Sequence, residues 1–162
     1  IPAAFNSDML DWAAKDMAAM NRNATPWLIA HMHRPMYCSN DHDCDFTSAG
    51  HLRLQGERTL HNAGVDLAIS GHVHAYERST PVFGGKVMPA GRATTYIVQG
   101  ASGNREGNKG SYPDDPSLIP EWSASRLTDI GYAIMTVERD NIAWRFYNSE
   151  TRAVIDEVVL KK

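Results

Sequence analysis

The sequence VDLAISGHVHAYERS, at residues 65–79, joins an apolar run to a pair of histidines. Residues 65–69 have the length and apolar content that predict a buried β-strand. His72 and His74 follow directly, where this predicted strand ends. Histidines at such a position are either ordinary loop residues or part of a metal site, so the remaining sequence has to distinguish the two.

A second apolar run, at residues 27–32, predicts another buried strand, which Pro35 brings to an end. Residues 50–62 predict a helix that closes at Ala63 and Gly64. The polar segment between them, residues 34–48, is long for a loop inside a compact domain, and such loops are often functional. The order strand, loop, helix, strand predicts a βαβ unit with parallel strands and a right-handed crossover.

Three histidines fall at the ends of these two strands. His33 ends the first strand, and His72 and His74 follow the second. Parallel neighbours end at the same sheet edge and lie about 4.8 Å apart, so these side chains can converge. Each histidine alone is better explained as a surface residue, but three at matching strand ends, beside Gly71, favour a metal site. His31 lies two residues before His33 and would therefore face the same side of the strand. We expect it to be a packing or supporting residue.

The rest of the chain predicts further elements of a mixed α/β fold. Trp12 and the methionines of the first predicted helix are expected in the core, and Glu77 and Arg78 are expected to form a structural pair behind the histidines. The predicted elements are a helix at residues 7–21, capped by Asn6 or Ser7, a strand at 94–99 before a glycine-rich loop at 100–107, and closing strands at 132–138, 142–148 and 153–160.

Composition and motifs exclude several classes of protein. The net charge of −3 argues against a nucleic-acid partner. No apolar run is long enough to cross a bilayer, and no signal-peptide pattern is visible. The chain lacks the Gly-x-Ser-x-Gly elbow of serine hydrolases, and its glycine-rich loop lacks the Lys-Ser/Thr ending of a phosphate-binding loop.

Two further features concern the long polar loop and the cellular compartment. Cys38 and Cys44 are either two free thiols or a small disulfide loop, which would imply an oxidising compartment. Together with the N-glycosylation pattern at Asn23, they favour a secreted or vacuolar protein. His42 lies in the same loop, and a histidine beside a metal could donate a proton to a leaving group. The aspartates around it (Asp41, Asp43 and Asp45) are expected to form a solvated acidic loop.

Residues 71–78, GHVHAYER, resemble the signature of the purple acid phosphatases, a family of the metallophosphoesterase superfamily. Further blocks resemble the same family in the same order over nearly the whole chain: AHMH with RPMYCSN at 30–40, YIVQGA with REG at 96–107, and WSA to GY at 122–132. The resemblance implies an α/β fold, a metallophosphoesterase-like sandwich containing the βαβ unit. It assigns residues 1–162 to one domain, the C-terminal part of the catalytic domain.

The resemblance also implies an activity and a set of ligands. The family hydrolyses phosphate monoesters at acidic pH with a binuclear metal centre, Fe(III) beside Zn(II), Fe(II) or Mn(II). Position by position, His33 and His72 would bind the divalent metal and His74 the ferric ion. His42 falls within one residue of a family histidine that binds substrate or protonates the leaving group, while Asp43 takes that position without a gap.

In the family, Asp-x-Gly, Gly-Asp-x-x-Tyr and Gly-Asn-His motifs precede the first histidine motif and supply the bridging aspartate, a tyrosine and an asparagine ligand; the residues before His33 in this chain contain none of them. We therefore expect it to be the C-terminal half of the enzyme, with the N-terminal half of the same protein as its partner, and a poor catalyst alone. The expected substrates are small phosphate esters, without nucleic-acid or membrane partners, and a homodimer is left open. The alternatives are a non-catalytic module that retains the fold, and a phosphodiesterase or nucleotide pyrophosphatase using the same centre.

Overall fold

The computed structural model describes residues 6–41, 44, 46–108 and 111–162, with the backbone alone described at 46–49. The described helices are α1 (Ser7–Ala18), α2 (Phe46–Ala63) and a short 3-10 helix (Pro116–Leu118). The strands are β1 (Ile29–Met32), β2 (Leu67–Ser70), β3 (Tyr76–Ser79), β4 (Val82–Phe83), β5 (Lys86–Val87), β6 (Thr95–Gln99), β7 (Ser123–Leu127), β8 (Gly131–Val137), β9 (Asn141–Asn148) and β10 (Val154–Lys161).

A mixed five-stranded sheet carries the histidine segments. Its strand order is β1-β2-β6-β3-β7, with β1, β2 and β6 parallel and β3 antiparallel to both of its neighbours. The register pairs Ile29 with Leu67 and Met32 with Ser70. The predicted βαβ unit is therefore confirmed, because α2 connects two adjacent parallel strands.

A second sheet, antiparallel in the order β10-β9-β8, packs against the first. Leu67, Tyr76 and Ile97 of the five-stranded sheet form one buried cluster with Trp144 and Phe146 of β9. A separate cluster joins α2 to the five-stranded sheet; its members include Leu52, Leu60, Ala68, Tyr96 and Trp122. This layering confirms the predicted α/β sandwich.

The first helix differs from its prediction in length and packing. It ends at Ala18 rather than at residue 21, and the Asn6 side chain caps it by accepting a hydrogen bond from the Met9 amide. Trp12 is 67% exposed, so its expected place in the core is wrong. Residues two positions apart on a helix face different directions, and Leu10 lies on the partly buried face instead. No helix in the described part of the chain combines the length and the apolar content needed to cross a membrane.

Strand β3 was not predicted, and it separates two residues that were expected to pair. Successive strand residues point to opposite faces of a sheet. Glu77 accepts hydrogen bonds from Ser39 and Ser123, whereas Arg78 bonds Asp156 on the other sheet. The expected Glu77–Arg78 pair is therefore wrong, although both side chains have structural contacts.

A buried polar network connects the two sheets. Arg78 donates from Nε to Oδ2 of Asp156 (2.7 Å) and from Nη2 to Oδ1 (2.8 Å). Tyr76 donates to Oδ2 of the same carboxylate at 2.6 Å and accepts from Trp144 Nε1 at 3.1 Å. Burial acts to raise the pKa of Asp156, but hydrogen bonds from Arg78 and Tyr76 outweigh it, and the net pKa lies below the usual value. The ionised carboxylate therefore stabilises the contact between the sheets.

We expect Asp156→Asn to lower the free energy of unfolding by about 3 kcal/mol at neutral pH, because it leaves the Arg78 guanidinium buried without its counter-charge. The side chains of Arg78 and Asp156 are only 14% and 9% exposed. A carboxylate with a lowered folded pKa loses its contribution as pH falls through that value, so the difference from wild type should shrink below about pH 4. Urea unfolding between pH 3 and pH 7 would measure both effects.

The matched control is Glu157→Gln, one position along β10. Glu157 accepts from Arg145 at 2.8 Å, but these side chains are 45% and 44% exposed. Exposed ion pairs contribute little to stability, so the urea midpoint should stay unchanged. Equal losses in the two variants would contradict a special role for the buried network.

Candidate functional site

The parallel strands bring two of the predicted histidines together at one sheet edge. His33 follows β1 directly, and its carbonyl oxygen accepts from the Gly71 amide at 3.0 Å. The imidazole rings of His33 and His72 lie 5.1 Å apart, centroid to centroid, in an edge-to-face arrangement. The structure thus places these side chains as the strand order predicted.

His72 has an unusual backbone conformation. Its φ angle is +67°, in the left-handed region that residues other than glycine rarely adopt. The Val73 amide donates to the Gly71 carbonyl at 2.8 Å, so the chain turns tightly around His72. Such conformations cost about 1–3 kcal/mol, persist where the surroundings enforce them, and concentrate at functional sites.

His74 has a buried nitrogen that lacks a hydrogen-bond partner. Its Nδ1 atom makes no hydrogen bond within the described structure. The Glu106 carboxylate lies beside it, with Oε2 at 3.8 Å from Nδ1, beyond hydrogen-bond distance. Buried polar atoms are nearly always satisfied, and an imidazole nitrogen without a partner has the donor chemistry of a metal ligand.

The three histidines do not form one compact cluster. Across residues 6–41, 44, 46–108 and 111–162, no three His, Cys, Asp or Glu side chains are grouped so that they could hold a metal ion. The structure therefore pairs His33 with His72 and leaves His74 outside a three-residue group. His42 lies outside the described residues, and His31 is exposed on β1 rather than packed.

Close backbone packing fixes the connection between β2 and β3, residues 71–75, which we term the histidine segment. The chain crosses from β2 to β3 over the end of β6, and the Gly100 amide donates to the Ala75 carbonyl at 3.2 Å. A Cβ atom at Gly100 would lie 1.7 Å from the Val73 carbonyl oxygen and 3.4 Å from the His74 Cα atom. Only glycine fits at this position without displacing the backbone between the two histidines.

The polar loop after β1 is held more firmly than its sequence suggested. Cys38 and Cys44 form a disulfide, which confirms one of the two alternatives for them. Asp41 is bound by Ser111, whose amide and hydroxyl donate to its carboxylate at 2.5 and 2.7 Å. Asp41 is exposed, as expected for a solvated acidic loop, and it is also held by Ser111, while Asp43 and Asp45 lie outside the described residues.

Glu77 is a buried carboxylate directly behind the histidine segment. It is 2% exposed, and burial raises its pKa although hydrogen bonds from Ser123 and Ser39 oppose the change. Its contacts with Ser39 and Ser123 were not predicted, and neither were the nearby hydrogen bonds between Ser111 and Asp41. These partners are far apart in the sequence, and no local pattern reveals them.

Two family models match the chain. Residues 3–76 match the calcineurin-like phosphoesterase model, and residues 93–157 match the iron/zinc purple acid phosphatase-like protein C model. The two segments carry the βαβ unit and the second sheet, respectively, so both halves of the observed architecture match related families.

Curated relatives cover nearly the whole chain. Purple acid phosphatase 22 of Arabidopsis thaliana is 36% identical over 155 residues, which make up 95% of this chain and 35% of that protein. Acid phosphatase type 7 of Danio rerio is 32% identical over 177 residues, spanning 94% of this chain and 39% of that protein. The chain spans about a third of the length of the curated relatives that it matches.

A solved structure has the same fold. The purple acid phosphatase PPD1 from yellow lupin (Lupinus luteus) seeds superposes with a TM-score of 0.81 at 22% identity. The match covers 98% of this chain and 29% of the lupin chain. The observed layering therefore belongs to the phosphoesterase architecture.

We expect Gly100→Ala to destabilise the protein by about 1–3 kcal/mol or more, because the added methyl group meets the Val73 carbonyl oxygen. The variant should also shift the imidazole NMR signals of His72 and His74. Thermal unfolding and histidine NMR spectra would measure the two effects.

Gly50→Ala is the matched control, because a Cβ atom there meets no atom of the described residues within 4 Å and the residue lies inside α2. Alanine favours a helix over glycine, so stability should stay the same or rise. Unchanged histidine signals in Gly100→Ala would contradict the close-packing argument.

Proposed function

The chain belongs to the purple acid phosphatase family, and from this premise we propose that it forms the C-terminal part of the catalytic domain of a metal-dependent acid phosphatase. Residues 1–162 would then be one part of a larger domain. The observation that carries the proposal is the sheet edge at which His33 and His72 meet and His74 follows. Its proposed substrates are small phosphate monoesters.

The three histidines would supply only part of the donor set of the proposed binuclear centre. His33 and His72 would hold a divalent ion, Zn(II), Fe(II) or Mn(II), and His74 would hold Fe(III). Two observations support this assignment: the 5.1 Å approach of the His33 and His72 rings, and the buried Nδ1 atom of His74, which has no hydrogen-bond partner among the described residues. When bound, the ions would supply Lewis-acid charge for a phosphate monoester.

The chain's own residues have separate proposed roles around that centre. The imidazoles would orient the metal ions, and the tight turn at His72 would keep its side chain beside His33. We assign to His42 the donation of a proton to the leaving-group oxygen. In sequence, His42 lies within the ring that the Cys38–Cys44 disulfide closes.

The proposed partner is the N-terminal half of the same protein. Strand β1 is an edge strand of the five-stranded sheet, and an edge presents unpaired backbone groups that proteins usually pair or cover. Helix α1 exposes Met9 and Trp12, which lie three positions apart and therefore on one face of the helix. Both features are expected if further chain of the same protein covers these two places, and the same chain would supply the carboxylate ligands.

We also propose that the protein is secreted or vacuolar. Stable disulfides form in oxidising compartments, and Cys38 is bonded to Cys44. Asn23, the acceptor of the N-glycosylation pattern, is exposed in a turn and therefore accessible for modification.

In the complete protein that contains this chain, we expect His33→Ala, His72→Ala and His74→Ala each to lower kcat/KM for p-nitrophenyl phosphate by roughly a hundredfold or more. Each variant should also lose bound metal, because an imidazole ligand is removed. Elemental analysis and phosphatase assays would measure the two effects.

The matched control is His31→Ala, which removes an exposed histidine from the same strand end as His33. Metal content and activity should stay unchanged in this variant. Full metal content in the three test variants would contradict the site. A metal-free, inactive complete protein would favour the non-catalytic module, and a fully active isolated chain with two metals would contradict the need for an N-terminal half.

A further inference from the structure

Glu77 connects three separate parts of the structure through one buried carboxylate. The Ser39 amide donates to its Oε2 atom at 2.7 Å, and the Ser39 hydroxyl donates to Oε1 at 2.6 Å. The Ser123 hydroxyl of β7 donates to the same Oε1 atom. The carboxylate therefore joins β3, β7 and the segment that follows Cys38.

A second set of contacts ties the same segment to residues 111–112. Asp41 accepts two hydrogen bonds from Ser111, and the Asp41 amide donates to the Ser111 carbonyl at 3.0 Å. The Tyr112 hydroxyl donates to the Tyr76 carbonyl at 2.8 Å, directly after the histidine segment. Residues 39–41 and 111–112, which we term the rim, are thus fixed to each other and to β3.

The rim also packs against the histidine segment itself. Val73 and Ala75, which alternate with the histidines, form a buried cluster with Val98. Cys38, which directly precedes the rim, and Tyr112, which belongs to it, pack against this cluster. A displacement of residues 39–41 would therefore disturb contacts next to His72 and His74.

We infer that Glu77 is a positioning residue. It holds the rim in a fixed position beside His72 and His74, so that a phosphate ester binds there in one orientation. The inference rests on the proposed function for its substrate class. It adds a role for residues that touch neither metal nor substrate in the proposed site. Because Glu77 acts through Ser39, its loss should impair substrate binding more than the chemical step.

The burial of a carboxylate supports this role over simple core packing. Moving a charged group out of water is costly unless hydrogen bonds compensate, and an apolar residue would fill the same space at less cost. Glu77 instead accepts three hydrogen bonds, two of them from a single loop residue. A carboxylate is suited to this geometry because its two oxygens can accept from a backbone amide and two hydroxyl groups together.

Two serines provide a matched pair of variants. Ser39→Ala and Ser123→Ala each remove one hydroxyl donor from the same Glu77 oxygen, but only the first lies in the rim. In the complete protein, Ser39→Ala should raise KM for p-nitrophenyl phosphate by roughly tenfold, the size of one lost charge-assisted hydrogen bond. Its kcat and metal content should stay unchanged within error, and Ser123→Ala should leave KM unchanged.

Hydrogen exchange provides a readout that needs no activity. The backbone amide of residue 39 should exchange faster in Ser39→Ala and much faster in Glu77→Leu. In Ser123→Ala this amide should exchange as slowly as in the wild type. Unlike Glu77→Leu, Glu77→Gln should keep the wild-type KM and the wild-type protection of the Ser39 amide from exchange. The glutamine amide oxygen can accept from the Ser39 amide, while its NH₂ group donates to the hydroxyl oxygens. Mass spectrometry of peptides covering residues 36–41 would measure the exchange.

Equal exchange and equal KM in the two serine variants would overturn the inference, since a merely structural carboxylate would not distinguish them. Failure of Glu77→Gln to restore protection would also overturn it. If the complete wild-type protein hydrolyses no phosphate ester, the proposed function fails. The exchange comparison then still decides whether Glu77 holds the rim.

Discussion

The chain crosses the end of β6 in five residues, and the site depends on this crossing. Strand β2 ends at Ser70 on one side of β6, and β3 begins at Tyr76 on the other side. The connection has to pass over Gly100, where the Val73 carbonyl leaves no room for a side chain. Within this short crossing His72 has a left-handed conformation, and both histidines of the segment follow the end of β2.

Strand β3 then divides its contacts between two faces. Glu77 faces the loops beside the site, where it accepts from Ser39 and Ser123. Arg78 faces the second sheet, where Asp156 binds its guanidinium through two hydrogen bonds. Because strand residues alternate, one four-residue strand can anchor the histidine segment to the loops and to the core at once.

The sequence predicted the elements whose signal is local. Apolar runs predicted β2 and β6, and the order of the strands predicted that His33 and His72 lie close together. The observed register explains why they do: Met32 pairs with Ser70, so the residues that follow these two are also neighbours. His74 lies beyond the tight turn, where pairing register no longer determines position. The roles of the histidines at individual metals came from the family resemblance and not from their spacing.

Strand β3 was missed because Tyr76 is its only apolar residue, which is too little for a local apolar pattern. Its residues, YERS, include the buried Glu77 and the partly buried Arg78, whose charged groups are bound by distant partners. Ser39 and Asp156 lie 38 and 78 positions away from the residues they bind, and no local periodicity encodes such pairs. Conversely, Trp12 has a strong apolar signal but is exposed, because periodicity identifies an amphipathic face without showing what covers each residue.

The buried network around Asp156 lies apart from the proposed metal ligands. Asp156 binds Arg78 and Tyr76 on the face of β3 opposite to Glu77, and these contacts involve none of the proposed ligands. Many small metal-dependent domains are unfolded without their metal, because the binding site is not formed in the unfolded chain. Here two sheets enclose an apolar cluster around Leu67, Ile97 and Phe146 that includes none of the proposed ligands. We therefore expect this cluster and the Asp156 network, rather than the proposed ligands, to supply most of the stability that holds the histidines in place.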